Sequence, residues 1–162
     1  MGKGKKVICT ILLVCTLCGL WGCKERTGEP KPAENPYYAF QGVRVGTAFS
    51  EAQAVFGAYE NRIQEDATLT TYMYPHFMVV TAAQKNEEII TTIVLRSNAF
   101  ATEEEVAIGD TRETVIEKQG ENFVEDTVQG QMTYVKKDTA LTFLVDAEGI
   151  VLSITYSQIA EE

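Results

Sequence analysis

Few residues in this chain are able to do chemistry, and they are scattered. His76 is the only histidine and stands in "YPHF" between two expected strands. A metal centre needs three or four ligands, so a lone histidine points to a surface or strand-start role. Ser50, Ser97, Ser153 and Ser157 lack the G-x-S-x-G turn that presents a nucleophilic serine. There is no G-x-G-x-x-G and no phosphate-binding loop. Glu103, Glu104 and Glu105 form an acidic run without calcium-loop spacing, and the expected role is a solvated link. Glycoside hydrolysis needs only two carboxylates at a set distance. Among 23 acids such a pair stays open, but no position singles itself out. No catalytic residue, metal ligand or cofactor is assigned.

The cysteines say more about place than about chemistry. Lys3, Lys5 and Lys6 precede the uncharged run "VICTILLVCTLCGLWG", which ends at Cys23 and is followed at once by charge. That layout predicts a signal peptide over residues 1–22, the run being shorter than the roughly 20 residues a spanning helix needs. An uncleaved membrane anchor is the alternative. "LWGC", Leu20 to Cys23, resembles a bacterial lipobox, with Trp21 bulkier than the residue usual there. The resemblance implies a lipidated Cys23 as the mature N-terminus. Cys9, Cys15 and Cys18 would leave with the signal, and no cysteine follows Cys23. The mature protein then has no disulfide and depends on its hydrophobic core.

The formal net charge is −9 before the three signal lysines are removed. So acidic a chain is repelled by nucleic acid and by anionic lipid heads. No basic cluster stands out in the sequence, so membrane attachment is expected through the lipid alone.

The elements after Cys23 are read from pattern. Residues 23–38 form the lipidated cysteine and a tether, with Pro30, Pro32 and Pro36 among alternating charges. Residues 39–162 form the folded part. There "VRVGTAFSEAQAVFG" from Val43 is echoed by "VAIGDTRETVIEKQG" from Val106. Each copy predicts a short helix, about residues 48–56 and 111–119. Thr47 and Asp110 are the expected caps, and Gly57 and Gly120 the stops. Period-two stretches follow each helix, including "HFMVVTAA", "EEIITTIVLRS", "ALTFLVDA" and "EGIVLSITYS". The expected fold class is α+β: two helix-plus-antiparallel-meander repeats, about 40–98 and 103–158, forming a shared sheet with helices packed on one face. One such unit alone would be marginal, and two share a core.

The V-x-V/I-G-x lead, the short helix ending in Gly and the following meander resemble the β-lactamase inhibitory protein family and the SmpA/OmlA-type outer-membrane lipoproteins. The resemblance covers about residues 40–158 and implies that fold and a habit of binding another protein. The disulfides of the inhibitor family have no counterpart here.

The expected function is a lipid-anchored, extracytoplasmic protein-binding module of the cell envelope, with an unidentified protein partner and no nucleic acid. A hydrolase of the envelope and a folded spacer are the alternatives. Tyr72 and Tyr74 are the candidate partner-binding residues. If Leu69 and Met73 point to the helices, both tyrosines lie on the open face of the sheet.

Overall fold

Residues 35–159 are described by the computed structural model. Eight strands build the main sheet: β3 Asn61–Gln64, β4 Leu69–Met73, β5 Phe77–Gln84, β6 Glu87–Leu95, β7 Val124–Asp126, β8 Gln131–Lys136, β9 Thr139–Val145 and β10 Val151–Gln158. Their order is β3-β4-β5-β6-β10-β9-β8-β7, antiparallel throughout. A separate two-stranded ribbon pairs β1 Ala39–Phe40 with β2 Val43–Arg44. The helices are α1 Phe49–Phe56 and α2 Arg112–Gln119. No helix among the described residues is long and apolar enough to cross a membrane.

Directly paired residues share a face, so register sorts the sheet into two sides. One row runs Arg62, Tyr72, Val79, Ile93, Tyr156, Leu141, Tyr134. All but Arg62 in that row are buried. A second runs Phe77, Leu95, Ile154, Phe143, Met132, all buried. Strict alternation fails at two bulges. One lies between Val80 and Thr81 and brings Ile90 into the core while leaving Ile89 half-buried. The other lies between Val151 and Ser153; it buries Val151 and turns Leu152 out to 50% exposure.

Over this face lie the ribbon, the two helices and the connection after β6. Phe40 is the hub of an aromatic cluster, its ring centre 5.0 Å from that of Phe77, 5.3 Å from Phe100 and 6.0 Å from Tyr156. The helices contribute little. α1 buries Phe49 and Ala52, and α2 buries only Val115. Both are tied to the sheet by backbone. Gly46 N–H donates to Ile90 O at 2.7 Å, and Gly109 N–H to Val151 O at 2.9 Å.

The fold class expected from sequence is therefore corrected. The described residues are mostly β, one eight-stranded antiparallel sheet with a two-stranded ribbon and two short helices. They are not two helix-plus-meander repeats under a helix layer. The helices bury Phe49, Ala52 and Val115 and pack Phe56 and Ile116 partly buried against the core, and five residues of the 38–45 segment, Tyr38, Ala39, Phe40, Val43 and Val45, cover the rest of that face. The expected caps shift too. Ala48 precedes α1 with no side-chain cap. Thr111, not Asp110, caps α2, its Oγ1 accepting from Thr114 N–H at 3.2 Å. Asp110 instead accepts from Ala107 N–H at 2.8 Å.

Candidate functional site

Tyr72 and Tyr74 are 5% and 3% exposed and lie on the covered face. Their expected place on the open face is corrected. The register is displaced by one residue, so Thr70, Tyr72 and Tyr74 point inward while Leu69 and Met73 point out. Tyr74 stacks on Phe77, ring centres 4.4 Å apart. Cys23 lies outside the described residues.

Tyr72 does belong to a polar cluster at the β3 edge. Its hydroxyl donates to Glu88. The same carboxylate pairs with Arg62 at 3.3 Å. Burial, followed by the bond to Glu88, raises the Tyr72 phenol to about 12. A phenol held neutral against a carboxylate already paired with arginine is neither base nor nucleophile at neutral pH. Beside it opens a cleft of about 460 Å³ between α1 and the β5–β6 turn, with Tyr59, Gln53, Asn86 and Glu87 on its walls. A smaller cleft, about 240 Å³, lies by α2 and the β9–β10 turn, where Arg112 pairs with Glu125 at 3.0 Å.

Ser97 Oγ and His76 Nδ1 stand 3.0 Å apart at the surface, a contact no local motif announced. The serine oxygen also accepts from Ala99 N–H at 3.3 Å. Among the described residues no carboxylate orients the imidazole, as a nucleophilic triad requires. No group of three or more His, Cys, Asp or Glu among them is placed to hold a metal ion.

The acidic run is not a free solvated link. Glu104 accepts from Gln119 at 3.0 Å and pairs with Lys136 at 3.1 Å, and Glu105 pairs with Lys118 at 3.1 Å. These bonds strap the connection between β6 and α2 onto α2 and β8.

The other face of the sheet is different in kind. A registered row crosses all eight strands: Asn61, Met73, Met78, Val94, Thr155, Thr142, Thr133, Val124. Beside it runs Ile63, Thr71, Val80, Thr92, Ser157, Ala140, Val135. Neither row contains a charge. The central residues are half-buried except Thr71 and Ala140, which are buried. Thr133 and Thr142 hydroxyls meet at 3.0 Å. Sequence alternation held the signal for this surface, but the one-residue slip assigned it to the tyrosines.

No family model and no curated protein matches the chain. Among solved structures, a cysteine-rich secretory protein from Staphylococcus aureus superposes with a TM-score of 0.56 at 15% identity, covering 78% of this chain and 49% of that one. An extracellular protein containing an SCP domain from Bacillus anthracis gives 0.55 at 13% identity, covering 70% and 44%. A DUF4309 family protein from Bacillus subtilis gives 0.48 at 14% identity, covering 72% and 81%. This chain thus spans less than half the length of either of the first two. The likeness is one of fold. These structures are not of the β-lactamase inhibitory or SmpA/OmlA type, and the resemblance expected from sequence is corrected accordingly. A short helix ending in Gly before a meander is a local device that unrelated sheets share.

Proposed function

We propose that this protein is an extracytoplasmic binding module, lipid-anchored through Cys23, that holds a protein partner on the open face of its sheet. The observation that carries the reading is the row from Asn61 to Val124, eight strands wide without a charge, in a chain whose residues are 23% charged. Strands about 4.8 Å apart, rising about 3.3 Å per residue, give this face several hundred Å², of the order of the ~800 Å² each partner gives a stable interface. Threonine, serine and methionine there offer hydrogen bonds and adaptable apolar contact. An extracytoplasmic place is supported by the basic start and apolar run before Cys23. The descriptions of two structural neighbours as secretory and extracellular agree with it.

The test has two arms. Mass spectrometry of the protein taken from its own membranes should show a lipid mass on Cys23 that the Cys23→Ala form lacks; an unmodified Cys23 rejects the anchor. Thr155→Lys places a charge at the centre of the face without touching the core. It should keep the unfolding free energy within about 0.5 kcal/mol of wild type and abolish partner capture. Undiminished capture rejects the face.

A further inference from the structure

Cations are sparse in this acidic protein, yet three gather where the tether enters the fold. Arg44 on β2 places its guanidinium carbon 4.2 Å from the centre of the Tyr37 ring. Lys137, in the β8–β9 turn, places Nζ 4.8 Å from the same ring. Lys136 stands 4.6 Å from the Tyr38 ring. The backbone fixes the cluster. Tyr38 N–H donates to Thr139 Oγ1 at 3.0 Å, and that hydroxyl donates to Lys136 O at 2.8 Å. Among the described residues the acids at hand are Glu104, which Lys136 pairs, and Asp138 in the turn itself. Lys137 is exposed, and Arg44 and Tyr37 are half-buried. The sequence hid this cluster because Arg44 and Lys137 are far apart along the chain.

We propose that this end of the domain docks on anionic phospholipid headgroups, Arg44 and Lys137 meeting phosphates while the Tyr37 ring lies at headgroup depth. The proposal rests on the Cys23 anchor proposed above. From Cys23 to Asn35 the chain reaches at most about 40 Å, so a lipid on Cys23 keeps the cluster close to the bilayer at high effective concentration. A cation near an anionic lipid surface contributes about 1 kcal/mol. An amphipathic ring suits the interface. The net negative charge of the chain opposes docking, and salt screens that repulsion over about 8 Å at physiological ionic strength. Docked this way, the Lys136–Thr139 end of the strands faces the bilayer and the open face of the sheet stands clear of it.

The full chain, purified from its membranes, is mixed with vesicles of phosphatidylcholine alone or with added phosphatidylglycerol. Flotation with neutral vesicles reads the anchor. Hydrogen exchange of residues 136–139 and 41–44 reads docking. With anionic vesicles at low salt these segments should exchange more slowly than with neutral ones, and high salt should erase the difference. Arg44→Gln with Lys137→Asn should weaken the anionic preference about thirtyfold. Asn suits the positive φ of residue 137. Arg96→Gln, beyond the opposite end of β6, should change nothing. If the anchor is absent, flotation with anionic vesicles alone still supports docking, and flotation with neither overturns it. Equal exchange in both lipids, or protection that survives in the double variant, also overturns it.

Discussion

Phe49 lies flat on Tyr72, ring centres 3.8 Å apart and planes 19° from parallel. This contact seats the first turn of α1 on the sheet, and Glu88 holds the far end of the same tyrosine. The two interactions separate by substitution. Phe49→Ala should cost about 3–5 kcal/mol, as other buried phenylalanines do. Tyr72→Phe keeps the stack and should cost about 1–2 kcal/mol, because Glu88 retains Arg62. Urea unfolding of both variants measures the difference, and equal losses would show that the stack is not what seats the helix.

Tyr72 also sets a pH dependence. Its folded phenol titrates near 12, above the ordinary value of 10.0. Between those values the unfolded chain has released the proton and the folded one has not, so the unfolded state binds fewer protons and stability falls as pH rises. The contribution is complete below pH 10 and lost through about 12. Stability of Tyr72→Phe should therefore fall less steeply over that window. Parallel slopes for the two proteins would place the phenol at its ordinary value.

The ribbon before α1 is integral to the core. Phe40 is 2% exposed and touches rings from the ribbon's side of the sheet and from the connection after β6. Phe40→Ala should cost about 3–5 kcal/mol. Val128→Ser, at 88% exposure, should stay within about 0.5 kcal/mol. A mild Phe40→Ala would make the ribbon an appendage.

Gly130 leaves the least room for a side chain of the described glycines. Its φ is +66°, and a Cβ there would stand 2.4 Å from Val145 O. Gly57 has a similar φ of +76° but open space around it. Gly57→Ala should cost about 1–3 kcal/mol from backbone strain alone, since its ψ of −152° puts it in a region essentially confined to glycine. Gly130→Ala adds the clash and should cost clearly more, read as a larger drop in the urea midpoint.

Local signals were legible where they depended on neighbours in sequence. Gly57 and Gly120 end the two helices as expected, each donating its N–H to the carbonyl four residues back. Strand alternation placed most strands. What the pattern did not carry was the bulges, which displace Ile90 and Val151 by one position, and the inward direction of Tyr72. Each depends on which strand lies alongside, and a period of two gives no clue to which face is inside. The clustering of Arg44 with Lys137, and of Ser97 with His76, needs the topology as well.

The central claim is that a partner occupies the uncharged face. A photo-crosslinking residue placed at Thr155, at the centre of the row, and another at Glu117, exposed on α2, compare the two sides of the domain in its native envelope. The account predicts a discrete adduct from position 155, absent from position 117 and abolished by adding Thr133→Lys on the same row. Adducts from both positions alike, or from position 117 alone, would contradict it.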